Sequence, residues 1–120
     1  MESIIRQKSF EFALTIINLY RELQERREYI ISRQLLRSGT SIGANVEEAT
    51  AGQSRKDFAS KMAIASKEAR ETKYWLQLLK QSKLGDVDVA KELGQVEELI
   101  RILTAIVKTT SQSPNSKLKL

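Results

Sequence analysis

Glu47 and Glu48 are neighbours, Glu68 and Glu71 lie three apart, and Lys73 follows Glu71 by two. Two carboxylates one helical turn apart can share a proton or a cation. A lysine beside a carboxylate can act as an acid or base once burial has shifted its pKa. The usual companions of such groups are missing, since the chain contains no histidine and no cysteine. That excludes disulfides, thiolate nucleophiles, zinc sites built on sulfur or imidazole, a Ser-His-Asp arrangement and the histidines of a ferritin-like di-iron bundle. Gly39-Thr40-Ser41-Ile42-Gly43 lacks the glycine-to-lysine order that cradles phosphate. Carboxylates at these spacings are ordinary on exposed helices, so the chain reads as a non-catalytic protein with no catalytic residue, cofactor or metal.

The elements that carry these residues are helices. Proline occurs once, at Pro114, and the five glycines leave long uninterrupted stretches. The pattern predicts helices from about Ile4 to Glu25, Tyr29 to Thr50, Arg55 to Lys80 and Val87 to Lys108. Ser54 is placed to cap the third, with Gly52 as the break before it and Asp57 near its positive end. Asp86 is placed to cap the fourth, with Gly85 supplying the turn. Short connections between long helices imply an all-α, antiparallel up-and-down four-helix bundle. At 120 residues one domain is expected, over 1–109, followed by a flexible polar tail over 110–120. Neither a signal segment nor a bilayer-spanning apolar run is found, which makes the expected location cytoplasmic, with no membrane partner.

Apolar residues recur at three and four. In the second helix Leu35, Gly39, Ile42, Val46 and Ala49 form a seam whose small members permit close approach. Gly39 and Gly43 each cost roughly 1 kcal/mol against alanine, so they call for tight packing, a bend or a later helix start. The third helix continues with Phe58, Met62, Ala65, Ala69, Thr72, Leu76 and Leu79, and the fourth with Val89, Leu93, Val96, Ile100, Leu103 and Val107. The first helix carries two stripes, Phe10-Leu14-Ile17-Tyr20 and Phe12-Ile16-Leu19-Leu23. Either both belong to one broad core face, or part of the arc meets another subunit. Leu99, Ile102 and Ile106 widen the fourth helix in the same way.

The net charge of +5 is unevenly spread. Residues 53–83 hold eight Lys or Arg against three Asp or Glu, a net +5, whereas 84–109 hold three against five, a net −2. At about 100° per residue, Arg55, Lys56, Lys67, Arg70, Lys73 and Lys80 share one broad arc, with Asp57, Glu68 and Glu71 on the other side. Such an arc can track phosphates in a salt-sensitive, sequence-independent way, or it can be a solvated or protein-contacting face. Trp75 lies within this helix and can stack on a base or cover the bundle edge. On the second helix Arg37, Ser41, Asn45 and Glu48 line one side. Asn45 stands beside the Ile42/Val46 seam, which suggests a structural polar network that fixes register.

The residues Gln34-Leu35-Leu36-Arg37-Ser38, then Ser41-Ile42-Gly43-Ala44-Asn45-Val46-Glu47-Glu48, Ser54-Arg55-Lys56-Asp57-Phe58 and Ala63-Ile64-Ala65-Ser66-Lys67-Glu68-Ala69 carry a resemblance. Over roughly Phe10 to Ile106 the chain resembles the S23 or 23S rRNA intervening-sequence protein family. The resemblance implies a small bacterial four-helix bundle, commonly a ring-like homopentamer, with no catalytic assignment. Many such proteins are encoded within large-subunit rRNA genes, and related ones accompany reverse transcriptases in diversity-generating retroelements. Arg37, Ser41, Asn45 and Glu48 match characteristic positions, as do Arg55 and Phe58. This chain departs from the pattern with Gly43 where proline is frequent and Ala49 where glycine is frequent. Together these readings describe a homo-oligomeric helical scaffold of uncharacterised molecular function that docks an anionic partner. The alternatives are an accessory protein that binds RNA or DNA through repeated basic surfaces, and a protein-protein interaction module without nucleic acid.

Overall fold

The computed structural model describes residues 3–52 and 54–111. Four helices, α1 (Ile4–Glu25), α2 (Ile31–Thr50), α3 (Arg55–Ser82) and α4 (Ala90–Ser111), form an up-and-down bundle. A short 3-10 turn, Leu84–Asp86, joins the last two. α1 packs on α2 and α4, and α3 packs on the same two, so α1 and α3 occupy diagonal corners. Among the described residues no helix is long and apolar enough to cross a membrane.

The helix ends follow from where the first free N–H groups find acceptors. Ser3 Oγ accepts from Arg6 N, and Ser54 Oγ accepts from Asp57 N at 3.0 Å, the cap expected for α3. α2 begins at Ile31 rather than Tyr29 because the buried Glu28 carboxylate gathers its first N–H groups. Oε2 accepts from Ile30 and Ile31 at 3.1 and 3.0 Å, and Oε1 accepts from Ser32 at 2.7 Å. α3 runs two residues beyond Lys80 and stops at Lys83, whose backbone is left-handed at φ 62°. The expected Asp86 cap of α4 is not formed. Asp86 lies in the turn at φ 50°, and Asp88 Oδ1 accepts from Ala90 N at 3.0 Å instead. Gly85 makes that turn possible, at φ 73° and with Leu23 2.7 Å from where a Cβ would stand. α4 continues past Lys108 to Ser111, two residues into the expected tail, and 112–120 lie outside the described residues.

The core is the set of stripes that face the bundle axis. Leu35, Ile42, Val46 and Ala49 of α2 and Met62, Ala65, Ala69, Leu76 and Leu79 of α3 are buried, as their periodicity predicts. In α4 the buried line is Val96-Leu99-Leu103, with Val89 buried just before the helix, while Leu93, Ile100 and Val107 of the predicted seam sit at its edge. α1 contributes Ile5, Phe12, Ile16, Leu19 and Leu23 and leaves Phe10 and Leu14 outside, 64% and 49% exposed. Each fully buried large side chain contributes about 1.5–3 kcal/mol, whereas an exposed ion pair contributes about 0–1. The bundle is therefore held by these stripes, and its surface pairs decide register.

Gly39 and Gly43 mark a close crossing, and α2 runs through both without a break. A Cβ on Gly39 would stand 2.9 Å from both Cγ atoms of Ile16, and one on Gly43 3.3 Å from the Ser9 carbonyl oxygen. Ile16 is β-branched and stiff, so it cannot swing aside cheaply. Gly94 has open space around it. Gly39→Ala should destabilise by about 1–3 kcal/mol through overpacking, and Gly94→Ala should stabilise by about 0.5–1 kcal/mol through helix propensity. Urea unfolding of both variants checks this pair, and a stabilised Gly39→Ala would contradict the crossing.

Glu92 lies at the end of the bundle that also holds the Leu84–Asp86 turn. Its Oε1 is buried with no hydrogen-bond partner among the described residues. Burial pushes its carboxyl above the ordinary range and Glu22 and Asp88 add to that, while a backbone hydrogen bond and Lys91 pull the other way. The folded chain thus holds this proton more tightly than the unfolded chain, so stability is lost as pH rises from about 4 through the raised pKa. Glu92→Gln should melt above the parent at neutral pH and converge with it in acid. Parallel melting curves at every pH would show that Glu92 carries no such penalty.

Candidate functional site

The side chains singled out by sequence fall on two flanks of α3. On the α2 flank, Arg37 donates to Glu68 at 3.4 Å and to Glu71, and also to Gln34. Glu48 pairs with Lys61 at 2.8 Å, about three turns from the Arg37 end at 3.6 residues per turn. Ser41 and Asn45 lie between these two ion pairs but spend their donors on their own helix. Ser41 Oγ donates to the Arg37 carbonyl at 2.6 Å, and Asn45 Nδ2 donates to the Ser41 carbonyl at 2.8 Å. Arg37, Ser41, Asn45 and Glu48 therefore form one stripe, in which Ser41 and Asn45 are tied to the preceding turn's carbonyls and Arg37 and Glu48 reach α3. The buried polar contact between the two helices is made by other residues: the Ser38 and Thr72 hydroxyls stand 2.8 Å apart, with Thr72 also 2.8 Å from the Glu68 carbonyl.

Glu71 is the junction that sequence reasoning passed over. It accepts from Arg37 and, at 3.0 Å, from the indole N–H of Trp75. Trp75 lies against the core with its one donor occupied. Its neighbour Tyr74 is 54% exposed and meets the indole edge-on, with ring centroids 5.1 Å apart and planes at 68°. The i to i+1 step turns the side chain by about 100°, so of two adjacent aromatics only one can face the core.

The other flank of α3 carries the bases. Lys73 pairs with Glu97 of α4 at 3.3 Å, and Arg70 donates to Thr104 at 3.0 Å. Arg55, Lys56, Lys67 and Lys80 are exposed and form no ion pair among the described residues. The six predicted bases thus share a flank, with Lys73 and Arg70 tied to α4 and the other four presented to solvent.

The carboxylates are accounted for differently from a catalytic centre. Glu47 accepts from Arg6 at 2.9 and 3.2 Å, Glu48 holds Lys61, and Glu68 and Glu71 hold Arg37. Among the described residues no group of three or more acidic side chains is placed to hold a metal ion. Lys73 faces Glu97 and not Glu71. Beside Arg6 and Glu47 a groove of about 230 Å³ runs between α1 and α2, lined also by Phe10, Ala13, Thr40, Gly43 and Ala44. Its floor is the glycine crossing and its wall the exposed Phe10 ring.

Comparison with known proteins places this geometry in a family. Residues 1–105 match the family described as 23S rRNA-intervening sequence protein. The chain is similar to the crystal structure of a protein of unknown function from the S23 ribosomal protein family of Bacteroides thetaiotaomicron VPI-5482. The two share 44% sequence identity over 88% of this chain and 100% of that one, with a TM-score of 0.79. No curated protein matches. With its motif residues aligned along the α2 edge and its four helices in up-and-down order, the chain belongs to the 23S rRNA-intervening sequence protein family.

Proposed function

We propose that this protein is a non-catalytic helical scaffold that assembles with copies of itself through the outer face of α1 and docks an anionic partner along α3. The observation that carries the reading is the diagonal placement of the two surfaces. Ile4, Phe10 and Leu14 are exposed on α1, while Arg55, Lys56, Lys67 and Lys80 are exposed on α3 across the bundle. An aromatic ring beside an apolar groove suits a helix from a second copy. A line of unpaired lysines and arginines suits phosphate.

The family's usual ring gives this arrangement its mechanism. Copies joined through α1 repeat the α3 flank around the assembly, and weak identical patches then hold one long partner by raising its effective concentration at the next patch. The line of exposed, unpaired bases along α3 favours the regularly spaced phosphates of a nucleic acid over an acidic protein as that partner. A protein partner without nucleic acid is the second reading, and the apolar groove beside Phe10 is what speaks for it.

Solution mass and a salt titration test the two halves together. The chain should behave as an oligomer, and Phe10→Asp should shift it toward monomer with its helix content intact. Binding to rRNA fragments, unrelated RNA and duplex DNA should weaken steadily with salt, and Lys56→Gln with Lys67→Gln should reduce the slope of log K against log salt by about 2. A strictly monomeric parent would overturn the assembly half. Absence of any binding at low salt, or binding indifferent to salt, would overturn the docking half.

A further inference from the structure

We infer that the α3 flank takes a single-stranded nucleic acid, with an unpaired base stacked on Tyr74. The inference rests on the docking half of the function proposed above and deepens it.

Tyr74 lies on the cationic arc and not on the acidic one. It follows Lys67 by seven residues and Arg70 by four, the spacings that bring side chains to one helix face. Lys56 precedes it by eighteen residues, about five whole turns, so the two project in the same direction. The cationic side of Tyr74 is otherwise small or polar, with Ala59, Ala63, Ser66, Gln77 and Gln81, while the half-buried Leu78 and the exposed Ile64 lie on its other side. One aromatic ring, 54% exposed, therefore stands at the margin of a positively charged surface.

The ring is also held. Trp75 supports Tyr74 edge to face at 5.1 Å, and the Trp75 indole is fixed in turn by its hydrogen bond to Glu71, which Arg37 anchors from α2. An aromatic side chain fixed before binding loses little rotamer freedom when a base lands on it. A solvent-exposed tyrosine with no such support would lose more.

The chemistry selects the strand form. Bases in a duplex stack on one another, and their flat faces are closed to a ring on a protein surface. Unpaired bases offer those faces, and stacking on an aromatic side chain contributes without regard to base identity. A duplex can use the lysines and Arg70 but not Tyr74, so the ring has a role only when the strand is single.

The test uses the full chain in its native assembly, with fluorescein-labelled single-stranded oligouridine of about 12 nucleotides and a duplex RNA of equal length, both at low salt. Tyr74→Ala should weaken single-strand binding by roughly 5- to 150-fold, leave duplex binding unchanged, and be rescued by Tyr74→Phe. Lys56→Gln with Lys67→Gln should weaken both probes. Tyr74→Ala binding both probes as the parent does, while the lysine variant loses them, would sink the stacking inference and leave the docking reading standing. A parent that binds neither probe would overturn both. Because Tyr74 is exposed, its replacement should leave the helix content unchanged, and circular dichroism verifies that the comparison is between folded proteins.

Discussion

A helix in a four-helix bundle can turn a stripe of about 100° or somewhat more toward the core, and α1 carries apolar residues over a wider arc than that. Its depth of approach is fixed by α2. Ile16 settles onto Gly39 and Ser9 lies beside Gly43, so the side of α1 that enters the core is the one carrying Phe12, Ile16, Leu19 and Leu23. Rotating α1 to bury Phe10 and Leu14 would lift Ile16 off the glycine and open the crossing. The exposed apolar face is a consequence of that crossing, and self-association is the simplest way for a chain of this size to cover it.

α3 meets a related constraint with charge. On its α2 side Glu68 and Glu71 take Arg37 and Lys61 takes Glu48, and on its α4 side Lys73 takes Glu97. These pairs are partly exposed and contribute little stability next to the buried stripes. They matter because they distinguish the two flanks, so that α3 can seat in one orientation only. What remains unpaired after that seating is a single-sign surface on the corner opposite α1. The bundle thus separates an exposed apolar face on α1 from the exposed bases of α3, the two surfaces on which the proposed self-association and anion docking rest.

Much of this was legible from residue order. The α2 and α3 seams followed from spacing, the Ser54 cap from residue type, and the charged flanks of α3 from helical projection, because all three depend on neighbours within a few turns. The misses depend on partners far along the chain or on the exact path of a turn. Glu28 starts α2 from outside the usual capping position, and nothing local distinguishes it from the nearby glutamates. Asp86 and Asp88 are equivalent by type, and the left-handed backbone at Lys83, Gly85 and Asp86 decided between them. Which ring of the Tyr74-Trp75 pair faces inward depends on the core and on Glu71: Trp75 lies against the core with its N–H on Glu71, and Tyr74 stays exposed. The likeness to the family was carried by Arg37, Ser41, Asn45 and Glu48, yet their link to α3 runs through Glu68, Glu71 and Lys61, more than ten residues away in each case.

The account stands on the separateness of the α1 and α3 faces, and the mass of the assembly in the presence of saturating RNA tests that separateness most directly. Light scattering on the complex should give the mass of the free assembly plus the bound strand. Dissociation of the assembly as RNA binds would mean that one surface serves both contacts, and would contradict it.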